Sequence, residues 1–269
     1  MAPSTELNSE LNEPIVTKAQ LIDAFRELGI SKGMMVYVQS SMNYFAKIIG
    51  GNRTIIEALK EVVTYEGGIV VASDTLDYID PESQREKIPL YQIEMIKESM
   101  AGFSRKESLP DNALALQLMN TDGAYRSNHP YRSVVAWGKY AKMICDKHPL
   151  HFPMGKDSPI EKLRAYRGYM LMLGTRYEDC DIFQAARIND ASTPIKIVNA
   201  AIIKQSRNGF LSVLDYDYQK RDIKVIREMM EERQIVSETA LASAKCRLFS
   251  INEAMTLAAA YYHTYQEDK

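Results

Sequence analysis

The feature that most constrains the fold lies between residues 35 and 72. A short apolar run, Met35–Gln39, is followed by a loop closed by Gly50-Gly51. An amphipathic stretch comes next, with Ile55, Ile56, Leu59, Val62 and Val63 on one face. Gly67-Gly68 ends it, and a second buried-type run, Ile69–Ala72, follows. Strand, loop, helix and strand in that order make a βαβ unit, because parallel strands need a crossover of this length. The expected fold class is α/β, with a central mixed, largely parallel sheet flanked by helices.

Other elements follow from periodicity. Thr17 with Gln20 three residues on reads as a capping box, and Leu21, Phe25 and Leu28 share a face up to Gly29. Asn52 is the expected cap of the second helix. Ser133–Trp137 and Tyr169–Leu173 read as strands. Asp181–Ile188, Arg221–Arg233 and Ile251–Thr264 read as helices. The polar stretch 78–112, with three prolines, is expected to form helices and loops over the sheet. Residues 1–16 read as a flexible arm and 17–269 as a single domain.

The 269 residues carry a net charge of −2 and are 46% hydrophobic. No overall field favours nucleic acid. No apolar run approaches the ~20 residues needed to span a membrane. Met1–Glu13 lacks the apolar core of a signal peptide. Cys145, Cys180 and Cys246 are far apart and odd in number, so a disulfide framework is not expected and a cytoplasmic location is. His148 and His151 flank Pro149, which disfavours one helical turn offering both to a metal, and no metal is expected.

Four segments can carry chemistry. Gln39-Ser40-Ser41 ends a strand before a helix N-terminus, where backbone N–H groups can meet a ligand. Arg126-Ser127-Asn128-His129-Pro130 is dense in donors, and Arg126 can hold phosphate bidentately. Leu171 to Asp181 runs from a buried-type strand through Gly174 into an acid-rich loop. There Asp179 and Asp181 can either bind a cationic amine or cap the next helix. Ala72 to Asp77 also follows a strand, and Asp74 and Asp77 can orient sugar hydroxyls or simply form a turn.

Taken in order, these segments resemble the aminoglycoside 3-N-acetyltransferase (antibiotic N-acetyltransferase) family. The resemblance rests on Gln39-Ser40-Ser41, Gly50-Gly51, Arg126 to Pro130 and Ala136-Trp137-Gly138. It continues through His148-Pro149-Leu150, Ser158-Pro159-Ile160, Leu171 to Gly174, Phe183 to Arg187 and Ala244 to Leu248. It implies a CoA-dependent N-acyltransferase, with acyl-CoA as cosubstrate and Gln39, Ser40, Ser41, Arg126, Ser127 and Asn128 along the cofactor. A homodimer is compatible with it.

The chain departs from the family at Gln39, Gln184 and Arg187, where the family has histidine, histidine and glutamate. Glutamine accepts no proton near neutral pH and arginine stays charged. The expectation is direct attack of a neutral amine on the thioester, with backbone N–H groups of Ser40 and Ser41 as oxyanion donors. His129 and Asp74 would stand by the amine. Asp77, Arg176, Tyr177, Asp179, Gln184 and Arg187 would line the acceptor. The arginines favour an anionic acceptor, a nucleotide-linked amino sugar. This is similar to the branch that acylates a dTDP-linked 4-amino-4,6-dideoxyhexose on the route to anthrose. An aminoglycoside acetyltransferase and a non-catalytic acyl-CoA-binding protein are the alternatives.

Overall fold

The computed structural model describes residues 15–41, 47–84, 88–189, 192–204, 207–218 and 223–267. Residues 1–14 of the expected arm lie outside these. Val16 is buried, and its N–H donates to the Lys47 carbonyl at 3.0 Å.

Helix α1, Lys18–Glu27, starts at Thr17 with the capping box formed in both directions. It stops where Gly29 turns to φ +95°, a left-handed conformation suited to glycine. Strand β1, Met35–Ser40, leads to helix α2, Gly51–Val63, and strand β2, Gly68–Ala72. The cap of α2 is Gly50 at φ +79°, not Asn52, which sits inside the first turn. A Cβ at Gly50 would strike the Thr54 hydroxyl, which donates to the Ile49 carbonyl at 2.6 Å.

Helix α3, Leu90–Ser99, and helix α4, Ala113–Met119, precede strands β3, Tyr125–Arg126, and β4, Val134–Gly138. Helices α5, Ala141–Cys145, and α6, Pro159–Ala165, lead to β5, Tyr169–Leu173, and helix α7, Asp181–Ala186. Strands β6, Ile195–Lys204, and β7, Arg207–Tyr216, form a hairpin. Helix α8, Lys224–Glu232, strands β8, Val236–Leu241, and β9, Ala244–Ser250, and helix α9, Ile251–Glu267, complete the chain.

The main sheet has the order β3-β4-β2-β1-β5-β9-β8. β2, β1 and β5 are parallel neighbours at its centre, and the outer pairings are antiparallel. In direction β3, β2, β1, β5 and β8 run one way, β4 and β9 the other. The expected mixed, largely parallel sheet is therefore present. Alternation along β1 divides the core: Val36 and Val38 face α1, α2 and α4, whereas Met35 and Tyr37 face α5 to α9.

Within the stretch 78–112, expected to lie over this sheet, two points pair instead with β6 of the separate hairpin: Asp80 N–H donates to Asn199 O at 2.7 Å and Phe103 N–H to Ala201 O at 3.0 Å. These two amides are satisfied by a strand far along the chain, a pairing that local sequence pattern does not reveal. No helix among the described residues is long and apolar enough to cross a membrane.

Candidate active site

The carboxyl ends of the three parallel strands meet at one end of the sheet, where open α/β folds place ligands. Ser41 follows β1, Asp74 follows β2 and Gly174 follows β5. At this end Gln39 ties two elements together. Its amide nitrogen donates to the Asp179 carbonyl, and its oxygen accepts from Asp181 N–H at 3.3 Å. Position 39 thus anchors the loop that enters α7.

Asp181 is the centre of a polar cluster that sequence reasoning placed only as a binding or capping alternative. Tyr37 OH donates to Asp181 Oδ2 at 2.6 Å, and Arg132 Nη1 donates to Asp74 Oδ2 at 2.8 Å. Tyr37, Asp74, Arg132, His148, Met154 and Asp181 line a gap of about 20 Å³, room for one water or one ammonium group. Burial raises the Asp74 carboxyl to about 6 despite Arg132, and the nearby Asp181 adds to the rise. Burial also raises Asp181, opposed by the Tyr37 hydrogen bond and by Arg132. Arg132 remains cationic, because Asp74, Asp181 and Asp215 outweigh its desolvation. A sequence signal for this cluster existed: Tyr37 points inward by strand alternation, and Arg132 lies three residues beyond His129.

The Arg126–Pro130 segment is built into the fold. Arg126 is buried over the Phe103 ring. Its Nε donates to Ser133 Oγ at 2.9 Å, Nη2 to the Ser73 carbonyl at 3.0 Å, and Nη1 to the Ser108 carbonyl. The fork expected to meet phosphate is committed to the protein. Ser127 is buried, accepts from Val134 N–H at 2.9 Å and donates to His148 Nδ1 at 2.9 Å. His129 is fully buried as well. Its Nε2 donates to the Leu150 carbonyl at 3.1 Å and its Nδ1 accepts from Arg132 N–H at 2.9 Å. Desolvation holds it neutral, with a pKa of about 3. His129 therefore orders the loop that carries Arg132 and has no free nitrogen for an amine. Asn128 is the exposed member of the segment.

The Ser41 N–H donates to the Leu173 carbonyl at 2.9 Å, so it is not an available oxyanion donor. Ser40 pairs with Leu173 at the end of β1 and is half-buried. Asp77 is exposed on a short 3-10 turn, Leu76–Tyr78, apart from the cluster. Gln184 lies half-buried on α7, one turn from Asp181. Arg187 is buried at the end of that helix. Arg176, paired with Asp179 at 2.9 Å, and Tyr177, packed near Phe249, belong to a second concavity beyond β5. Lys245 and Arg247, which also line it, were missed; they alternate with buried Ala244, Cys246 and Leu248 along β9.

The family model for aminoglycoside 3-N-acetyltransferases matches residues 37–263, and the chain belongs to that family of N-acyltransferases. It is 30% identical over 251 residues to the Bacillus subtilis SPbeta prophage-derived aminoglycoside N(3')-acetyltransferase-like protein YokD, covering 91% of this chain and 92% of that one. The crystal structure of YokD superposes with a TM-score of 0.89 at 28% identity, over 97% of this chain and 98% of that one. Aminoglycoside N(3)-acetyltransferase III of Pseudomonas aeruginosa is 30% identical over 216 residues, 78% of each chain. AAC-IIIb, solved as a binary complex with CoASH, shares the fold with a TM-score of 0.81 at 20% identity, over 94% of this chain and 98% of that one. These relatives favour the aminoglycoside alternative over the nucleotide-linked acceptor as the family-level reading.

Proposed function

We propose that the protein transfers an acetyl group from acetyl-CoA to an amine on an aminoglycoside-type amino sugar. The observation that carries this is the pair of carboxylates, Asp74 and Asp181, at the shared end of β1, β2 and β5. They suit a cationic amine, in a gap of about 20 Å³ that fits one ammonium group. The thioester carbonyl would lie beside Ser40 and Gly174. In the reaction the bound ammonium first gives up a proton to solvent; the neutral amine then attacks the carbonyl carbon and the C–N bond forms. The C–S bond breaks, and the amine proton ends on the leaving thiolate. Positions 184 and 187 carry glutamine and arginine, so proximity and orientation supply the acceleration.

A second reading, the nucleotide-linked amino sugar, is favoured by the cationic concavity that contains Arg176. Free-thiol release from acetyl-CoA, with kanamycin and a dTDP-4-amino-4,6-dideoxyhexose as rival acceptors, decides between them. Release with kanamycin supports the first. Release with the nucleotide sugar alone supports the second. Silence with both sinks the transferase reading for these acceptors.

The direct-attack mechanism makes its own prediction. Gln184→His should change kcat by less than about tenfold. A gain in the range of a general base, roughly 10²–10⁴-fold, would show that the reaction waits on proton removal.

A further inference from the structure

The concavity beyond β5 has a volume of about 420 Å³, within the size range of small-molecule sites. Thr175 and Arg176 enter it from the end of β5, Arg227 from α8, and Lys245 and Arg247 from β9; Glu178 is the acidic group in its wall. Four cations from three elements thus face one space.

Their carboxylate partners are placed unevenly. Arg176 meets Asp179 at 2.9 Å, and Arg227 Nε lies 3.7 Å from Glu231. Lys245 and Arg247 share one carboxylate, Glu238, at 3.1 and 2.8 Å. Positive charge is therefore in excess on the β9 wall. Burial works against ionisation of Glu238, but hydrogen bonds from Lys245 and Arg247 overcome it and hold the carboxyl below its usual range. The Arg247 guanidinium lies over the Tyr177 ring at 4.8 Å and donates to the Thr175 carbonyl at 3.4 Å. Its position is fixed by these contacts before any ligand arrives.

A further observation points to a ligand. Thr175 is only 8% exposed, and its hydroxyl has no hydrogen-bond partner. A buried hydroxyl left unsatisfied is costly, and each such group in a native protein calls for an explanation, an unfilled ligand position among them. Phosphate oxygens supply what this wall lacks: acceptors for guanidinium and ammonium N–H groups and for one hydroxyl.

We propose that this cavity binds the phosphate groups of one of the protein's two substrates, as a mono- or diphosphate ester. The ester can belong to CoA itself or to a nucleoside diphosphate carried by the acceptor. The proposal rests on the transferase reading for its ligands; the readout is binding, so a failure here leaves the thiol-release result standing.

The test is calorimetric titration of the full chain with dTDP, CoA and 3′-dephospho-CoA, in the wild type and in Lys245→Glu. The variant should weaken at least one of these about tenfold or more, the scale of a lost charge-assisted hydrogen bond. Weakening with dTDP alone assigns the cavity to the acceptor's nucleotide. Weakening with CoA but not dephospho-CoA assigns it to the 3′-phosphate. Equal weakening with both CoA forms assigns it to the cofactor's diphosphate. Thr175→Val, which keeps shape and removes the hydroxyl, should weaken the same ligand several-fold and decides the matter should Lys245→Glu not fold. Unchanged affinities in the folded variants overturn the proposal.

Discussion

Replacing Arg132 by alanine should lower the unfolding midpoint by roughly 6–12 °C at pH 8. Arg132 is 24% exposed, is bonded to Asp74, and faces Asp181 and Asp215. Removing one partner of a buried pair costs roughly 3–5 kcal/mol, because the remaining charges are left uncompensated. The partial exposure argues for the lower figure, about 3 kcal/mol, and a chain of this size loses roughly 2–4 °C per kcal/mol.

The pH dependence separates this from a simple packing loss. In the wild type the Asp74 carboxyl titrates at about 6 when folded, against an unfolded value of 3.8. A carboxyl raised on folding favours the folded state fully below the unfolded value, and that contribution fades as pH rises through the folded one. Without Arg132, Asp74 and Asp181 rise further, so the penalty for ionising them grows and extends to higher pH. The gap between variant and wild type should therefore be widest at pH 8 and narrow toward pH 5. Scanning calorimetry at the two pH values reads this directly. Equal gaps would mean that the loss is steric. Asp74→Asn added to the Arg132 variant should recover part of the stability at pH 8 and little at pH 5.

The second large effect is expected at Gly138, the last residue of β4. Its φ is +115°, and a Cβ there would lie directly on the Gly67 carbonyl oxygen and against the Gly68 Cα. Both neighbours are backbone, so neither can swing away. Backbone strain of about 1–2 kcal/mol adds to an overpacking cost of about 1–3 kcal/mol. Gly138→Ala should lose roughly 3 kcal/mol or more, seen as a lower urea midpoint. A midpoint within error of the wild type would show that β4 can shift away from β2. Gly29→Ala, with open space around it, serves as a control for the conformational cost alone.

The sequence announced those elements whose stabilising contacts are local or strictly periodic. Thr17 and Gln20 are three residues apart and cap each other, so α1 is legible from its first turn. The strands β1, β2 and β5 are buried on both faces and read as continuous apolar runs. The β6–β7 hairpin escaped notice for the opposite reason. Ile195, Ile197 and Ile203 are exposed, Ala200 and Ala201 are buried, and the strand bridges at Ala200 and Ile202 to Ile79 and Phe103 of a distant segment. No alternation survives such mixed surroundings.

The site was legible as positions more than as roles. Gln39, Arg126, Ser127 and His129 do gather near the carboxyl ends of the strands, but hydrogen bonds to neighbouring backbone commit them to ordering loops. Residue type alone cannot tell a donor that is free from one already engaged. Arg132 and Asp181 gain their importance from each other's proximity, across 49 positions of chain.

The parallel centre of the sheet sets an order on how this chain can acquire its structure. β1 at Met35–Ser40 finds its neighbour β5 only at Tyr169–Leu173, and β5 is covered on its other side by β9 at Ala244–Ser250. A growing chain that has β1, α2 and β2 holds a sheet with an open edge along β1. That edge stays unpaired until about 100 further residues, from Ala72 to Leu173, have been synthesised, which at roughly 5–20 residues per second is many seconds. Long-range pairing of this kind is slow, and an exposed apolar edge invites association in the interval. The nascent protein is therefore most vulnerable midway through its synthesis, and slower translation before residue 169 should lower its soluble yield.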